Sequence, residues 1–500
     1  MAAGFVLVSV EREVIVSSAR RKIMAAGVLL ASVSFAALAQ AQTQTVDTWI
    51  GRLELQAGYP SKATAEKLFD EMDFQRATQA FIWALPAVGF HGLRLAQRNT
   101  FGAKDGDVVL YVTLKDKAGM LTPNLTTLYL MTFWNLAEQG PMVVEVPAGA
   151  TAGGFLDIWQ RPITDTGQTG PDRGGGAKYL IVAPTSDIIG MPGYIVKRSP
   201  SNQVWFAARA LDRDPKMAEE IARKHKVYGW NQRDNPPATT FIPVGDRDWS
   251  SAQLVGLDYW KYLSEVIQPE AIEERDKVMF GMLKPLGIEK GKPFNPNERQ
   301  KRILTNAAQV GELMARTNAF DKRLPDATVW PGKKWEYANM VELDQDNNYS
   351  TQIDERGSWF YEAIANTVGM QGRTLNFGQV YLEVSKDKDG NWLDGGKTYR
   401  IRVPANPPVI QFWSFTLYDN VTRGPVITDQ GAADKSSRED LVANADGSVD
   451  LYFGPTKPAQ AQNWIKTNPG QGWFSYFRLY GPKEAYFDKS WQLNDVELVK

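Results

Sequence analysis

The sequence contains no cysteine, which excludes disulfides, thiolate metal sites and cysteine nucleophiles. Histidine is almost as scarce: His91 and His225 are the only two, and they lie far apart. A histidine-rich zinc or cupin-type centre is therefore excluded, and a Ser-His-Asp triad would have to use one of these two. No excess charge of one sign exists either. Lys and Arg number 56 against 57 Asp and Glu, so the net charge is −1 and nucleic acid finds no basic footprint. At 43% apolar and 23% charged residues the composition is globular. That rules out a disordered tail, a collagen-like rod and a polytopic membrane protein. The 500 residues suggest two or three domains at about 100–200 residues each.

At the N-terminus, Arg20-Arg21-Lys22 precedes an apolar run from Ile23 to Leu38. The run closes on Ala37-Leu38-Ala39 and Ala39-Gln40-Ala41. A basic segment, an apolar segment and an Ala-x-Ala site describe a secretory signal peptide over residues 1–41. A membrane span needs about 20 apolar residues, so an uncleaved anchor is the weaker alternative. Residues 1–19 are unusual ahead of such a segment, but a start at Met24 would lose the basic residues. The expectation is a periplasmic or secreted protein, near −3 in charge, with no stable membrane span after cleavage.

Texture divides the mature chain. Ser61 to Ala84 places Leu68, Phe69, Met72, Ala77, Phe81 and Ile82 near one helical face, and Pro86 is expected to end the helix. Val108–Val112, Thr127–Leu130, Met142–Val146 and Tyr179–Val182 are short β-rich runs that read as an antiparallel sandwich. Residues 217–225, 250–267, 271–283 and 297–316 return to helical patterning, punctuated by Pro269, Pro285, Gly287 and Gly291. Beyond Val329 the β texture resumes, with turn signals at Asp389-Gly390-Asn391, Asp394-Gly395-Gly396 and Asp446-Gly447. The expected domains are 42–210 (helix and sandwich), 211–328 (helical) and 329–500 (second sandwich).

Leu121-Thr122-Pro123-Asn124 through Tyr129, Gly140–Val144, Asp157-Ile158-Trp159-Gln160, Gly170-Pro171-Asp172 and Gly176–Leu180 follow one another in order. Together they resemble domain-of-unknown-function family 1254. Asp394–Arg400, Gln411–Ser414, Tyr418-Asp419, Asn444–Ser448, Phe453-Gly454-Pro455, Asn463-Trp464 and Arg478-Leu479-Tyr480-Gly481-Pro482 resemble its usual partner, family 1214. Family 1254 usually has a polar Asn-Asp-Thr-type run after Thr-Pro-Asn, where this chain has Leu125-Thr126-Thr127. The resemblance implies a mainly β protein with added α: an Ig-like β-sandwich, a helical insert and a jelly-roll-like β-sandwich, often exported. It implies no established reaction.

Motif chemistry is mostly eliminated. Gly390 to Thr398 fails the P-loop spacing at Asn391 and reads as a hairpin. Asp387, Asp389 and Asn391 alternate like a calcium loop, but Gly390 is misplaced and no bidentate Glu follows, so a solvated turn is the simpler account. No Gly-x-Ser-x-Gly elbow exists. His91, in an apolar stretch, reads as a packed histidine, and His225, beside Lys224 and Lys226, as a helix-end charge. No metal and no cofactor are expected.

Carboxylates and aromatics remain. Asp157, Asp165 and Asp172 surround Trp159, Gln160 and Arg161, next to the glycine-dense loop 170–176. Arg356 precedes Tyr361, and Trp413 and Tyr418 fall in the C-terminal motifs. These ten residues are the candidate ligand site, expected in a cleft where the two sandwiches meet, because ligand sites favour such interfaces. The bland alternative is that the acids cap turns and pair with arginines, and that the 16 Trp fill cores. Two functions stay open: a protein binding or processing a small polar molecule or glycan, and a cofactor-independent carboxylate-based hydrolase or lyase. The sequence names no catalytic residue, and it is compatible with assembly into a homo-oligomer.

Overall fold

The structure, a computed structural model, describes residues 43–499. The expected signal peptide lies outside the described residues. Two compact units divide between Glu66 and Lys67. The first holds a small antiparallel sheet of β1 (Thr43–Thr48), β2 (Gly51–Gln56) and β3 (Tyr59–Pro60), largely exposed. Within it, Ser61 Oγ accepts the Thr64 amide at 3.2 Å, and Thr64 Oγ1 accepts the Glu54 amide at 2.8 Å.

Helix α1 (Lys62–Phe101) continues through Pro86. The expectation that proline ends this helix is corrected. Proline removes one amide donor from the ladder and crowds the preceding turn, and here side chains from elsewhere serve the neighbouring carbonyls. Tyr259 donates to Phe81 O at 2.5 Å, Arg356 to Trp83 O at 2.8 Å and Gln160 to Pro86 O at 2.7 Å. The buried helix runs on through a position that would break an isolated one, with extra donors packed around it.

The N-terminal sandwich comprises β4 (Val108–Tyr111), β5 (Leu128–Asn135), β6 (Met142–Val146), β7 (Thr151–Leu156) and β8 (Pro162–Gly167). It continues with β9 (Ala177–Val182), β10 (Ile195–Arg198), β11 (Gln203–Ala210), β12 (Lys226–Gly229) and β13 (Phe241–Pro243). One sheet has the order β13-β4-β5-β11-β7-β8 and the other β10-β9-β6-β12. Most ladders are antiparallel, but β10 joins β9 and β13 joins β4 in parallel. Parallel partners need long connections, and residues 183–194 supply one between β9 and β10.

Strand alternation assigns the two faces of the larger sheet. Val108, Leu110, Leu128, Leu130, Val204 and Phe206 pack with Met142, Val144 and Ile181 inside the sandwich. Val109, Tyr129, Met131 and Trp205 point the other way, into a central core built with helices. That core takes in α1, α4 (Leu257–Ile267), α5 (Lys277–Leu283), α6 (Glu298–Phe320) and α7 (Ile353–Glu362), which follow α2 (Leu136–Gln139) and α3 (Pro215–Arg223). The helix α6 opens on a capping box between Asn297 and Gln300.

The C-terminal sandwich comprises β14 (Glu336–Tyr337), β15 (Gln379–Val384), β16 (Tyr399–Val403), β17 (Trp413–Asp419) and β18 (Asp434–Ser436). Its last strands are β19 (Val449–Gly454), β20 (Asn463–Lys466), β21 (Trp473–Tyr480) and β22 (Glu497–Leu498). The sheets are β14-β15-β21-β17-β18 and β20-β19-β16-β22. Val380, Leu382, Trp413, Phe415, Phe477 and Leu479 fill the sandwich with Tyr399, Ile401, Leu451 and Phe453. The other face carries Gln379, Tyr381 and Glu383 on β15, and Phe474, Tyr476, Arg478 and Tyr480 on β21. Tyr381, Phe474 and Tyr476 from this face join the central core. The molecule is thus mainly β with α, two sandwiches around a helical insert. No described helix is long and apolar enough to cross a membrane.

Candidate ligand-binding site

A cavity of about 160 Å³ lies where the inner faces of the two sandwiches meet. From the N-terminal sheet come Tyr129 and Met131 on β5, Ala152 and Leu156 on β7, and Trp205, Ala207 and Arg209 on β11. Alternation puts Trp205, Ala207 and Arg209 on one side of their strand. The alanines leave room that larger side chains would fill. From the C-terminal sheet come Gln379 and Tyr381 on β15, and Arg478 and Tyr480 on β21. Trp359 on α7 and the segment containing Ala365, Thr367 and Gly369 complete the wall.

Two arginines set its electrostatics. Arg209 stands opposite Tyr129 in the ladder, with its guanidinium 5.2 Å from that ring centre. It crosses to the other sandwich, donating to Gln379 Oε1 at 2.5 Å and to the Tyr381 hydroxyl at 3.2 Å. Arg478 stands opposite Tyr381, 5.2 Å from its ring centre. It crosses the other way, from Nη2 to Thr122 O at 2.8 Å, and Nη1 donates to the Tyr418 hydroxyl at 2.7 Å. Arg478 is only 1% exposed, and its Nε has no hydrogen-bond partner among the described residues. Burial opposes both charges, but the surrounding tyrosine oxygens outweigh it and hold both arginines firmly protonated. Burial, above all, pushes the Tyr480 hydroxyl upward, so it stays a proton donor.

The segment Leu121–Asn124 threads between these groups. Thr122 has φ +36°, a left-handed conformation that costs a non-glycine residue roughly 1–3 kcal/mol. Three hydrogen bonds of 2.8 Å hold it: its amide to Arg423 O, its hydroxyl to Glu362 O, and Arg478 to its carbonyl. Tyr418 donates to Pro123 O at 2.7 Å, and Asn124 donates its side-chain amide to the Tyr480 hydroxyl and its backbone amide to the Tyr129 hydroxyl. The motifs from the two halves converge here.

None of the ten sequence-selected residues lines this cavity. Asp157 is buried in its own turn, accepting the amides of Trp159 and Arg161 at 2.9 Å and Arg161 Nε at 2.6 Å. Arg161 continues to Glu273. Trp159 packs on Trp83 with ring centres 4.8 Å apart, and the Arg356 guanidinium lies 5.2 Å over it. Burial lowers Arg356 to about 9, and its structural task is the Trp83 carbonyl beside Pro86. Asp172 accepts the Tyr179 hydroxyl at 2.5 Å and the Gly167 amide at 2.8 Å. Tyr361 donates to Glu312 and accepts from Arg316. Trp413 faces the C-terminal sandwich core, stacked 5.4 Å from Phe477.

Three of the ten stand directly behind the cavity wall. Gln160 accepts the Ala365 amide at 2.7 Å, Asp165 accepts the Gly369 amide at 2.9 Å, and Tyr418 touches Pro123 and Arg478. The residues missed by sequence reasoning are Arg209, Gln379, Tyr381, Arg478 and Tyr480. Arg478 and Tyr480 sit in a family-like motif, Arg478-Leu479-Tyr480, while Arg209 carries only the parity of its strand as a signal.

A buried carboxylate pair lies elsewhere. Glu383 binds Lys322, and burial with the Glu383 charge pushes Glu362 well above the usual carboxylate range. Both glutamates lie outside the cavity lining.

Fold and site define a two-sandwich β protein with a cationic interior cleft. The family model described as Protein of unknown function (DUF1254) matches residues 109–229, and that described as Protein of unknown function (DUF1214) matches residues 378–484. Both families that the motifs resemble are therefore present, and each matched segment contributes one of the two cavity arginines. The chain is similar to the crystal structure of the VPA0106 protein from Vibrio parahaemolyticus at 17% identity. That alignment covers 86% of this chain and 100% of that one with a TM-score of 0.55, a likeness of fold. An uncharacterized protein from Burkholderia cenocepacia aligns at 11% identity over 87% of this chain and 97% of its own, with a TM-score of 0.38. No curated protein matches the sequence.

Proposed function

We propose that this is an exported protein that binds a small molecule in the cleft between its two sandwiches. The observation that carries the reading is the cavity itself. It is walled by both halves, and its lining combines aromatic and apolar surface with convergent polar groups. Trp205 and Trp359 supply broad faces, and Tyr129, Tyr381 and Tyr480 bring hydroxyls. Export rests on the Arg20-to-Ala41 pattern.

The second reading, a carboxylate-based hydrolase or lyase, draws on Glu362, held protonated beside the Glu383 charge in a way that suits acid-base work. No Asp or Glu lines the cleft, so binding is the better supported reading.

Filling the cavity tests it. Ala207→Phe projects a phenyl ring from β11 into the space. Saturation-transfer NMR should detect benzyl alcohol and benzoate on the wild-type protein and neither on the variant, with the fold retained by circular dichroism. Equal signals from both proteins would contradict the cleft as the binding site.

A further inference from the structure

We infer that the ligand is a small organic carboxylate, its head group held against Arg209 and Arg478 and its apolar body among the surrounding tryptophans and methionines. The inference rests on the reading of the cleft as a ligand site and specifies the chemistry that site selects. Arg209 and Arg478 are the charged residues of the lining, with no Asp, Glu, Lys or His beside them. Neither joins an ion pair among the described residues, whereas Lys322, its side chain fully buried, meets the Glu383 carboxylate. Two like charges at one cavity repel each other, and an anion between them relieves that repulsion. A carboxylate suits the planar guanidinium fork, which offers paired N–H donors.

Tyrosine hydroxyls add donors of the right kind. Tyr381 accepts from Arg209, Tyr480 accepts from Asn124 Nδ2, and Tyr129 accepts from the Asn124 amide. Each oxygen is thus supplied with a donor from the protein, which orients its own O–H to give a proton elsewhere. Arg478 Nε, buried and without a partner among the described residues, is a further donor at the same place. A neutral sugar would need acceptors as well as donors, and the charged groups here only donate.

Volume limits the body. A cavity of roughly 150 Å³ admits benzene, and this one measures about 160 Å³. A benzoate-sized monocarboxylate fits that scale. Trp205, Trp359, Met120 and Met131 offer the apolar surface.

Calorimetry on the mature full-length protein, with benzoate and benzyl alcohol as probes, tests the inference. These probes share a ring and differ in the anionic head. The wild-type protein should prefer benzoate by at least about tenfold, the scale of a charged hydrogen bond. Arg209→Met should erase that preference. Tyr381→Phe, which removes a single hydroxyl, should reduce it and serves as the second variant if Arg209→Met fails to fold. Equal affinity for the two probes in the wild type would overturn the carboxylate inference while leaving the cleft reading intact. Retention of the preference in Arg209→Met would overturn it too. Binding of neither probe would overturn both, and binding of inorganic phosphate without benzoate would overturn the carboxylate in favour of an anion of a different class.

Discussion

Asp165 on β8 turns its carboxylate to the backbone amides of Val368 and Gly369, at 3.1 and 2.9 Å. Burial pushes it up to about 6, against the pull of those amides in the other direction. Because the folded value lies above the unfolded one, the contribution of this group to stability is complete below about pH 4 and is lost as pH rises through about 6. Asp165→Asn removes the ionisation. Each pH unit between the folded and unfolded titrations is worth about 1.4 kcal/mol, so the variant should gain roughly 2–3 kcal/mol relative to the wild type between about pH 4 and about pH 7. Denaturant titrations at the two pH values check it, and a pH-independent difference would contradict it. At this scale the sequence was readable for roles and not for places. Asp157 and Arg161 read from sequence as a site or, more simply, as a turn with its ion pair, and the fully buried Asp157 paired with Arg161 at the β7–β8 turn decides for the turn. Trp413 and Tyr418 were grouped in one wall, yet an odd and an even position on one extended strand face opposite ways. That parity was already present in the sequence and separates them.

Among elements, α6 meets α1 at Gly311. A Cβ built there would lie 2.8 Å from Phe81 Cβ, the base of a buried side chain that has no room to swing away. Alanine improves helix propensity by about 1 kcal/mol over glycine, but overpacking costs typically 1–3 kcal/mol. Gly311→Ala should therefore destabilise by about 1 kcal/mol in urea unfolding, within a range of roughly 0–2; a gain would contradict the close contact. Helices with one solvent face were legible from periodicity, as α6 was. The helix α7 was not, because Arg356 to Glu362 are all buried and a helix hidden on every side has no apolar stripe. Pro86 misled for a related reason: the tertiary packing around it, with Tyr259, Arg356 and Gln160 donating to nearby carbonyls, comes from distant parts of the chain. The two sandwiches were legible because short β-rich runs recur between Gly, Pro and Asn turn residues. The parallel edge pairs β9–β10, β4–β13 and β19–β20 were not, since pairing direction leaves no trace in composition.

For the whole molecule, the central cleft follows from two sheets whose inner faces carry side chains unlike those of their sandwich cores. The C-terminal inner face presents Tyr381, Arg478 and Tyr480 where an isolated sandwich would present them to water. Packing against the helices and the other sandwich buries them, and the chain meets the cost with cross-bonds such as Arg209 to Tyr381 and Arg478 to Thr122. Thr122 and Arg478 are 356 residues apart in sequence. The motifs that signalled family resemblance therefore held Arg478 and Tyr480 but neither Arg209 nor Tyr381, and the meeting of these residues is a property of topology that spacing does not encode. Crystals of the protein grown with 4-iodobenzoate put the carboxylate cleft to its most direct test, through the anomalous signal of the iodine. One iodine is expected inside the cavity near Trp205 and Trp359, with the carboxylate on Arg209 and Arg478. Iodine found only on the outer surface, with the cavity free of the compound, would contradict a carboxylate site between the sandwiches.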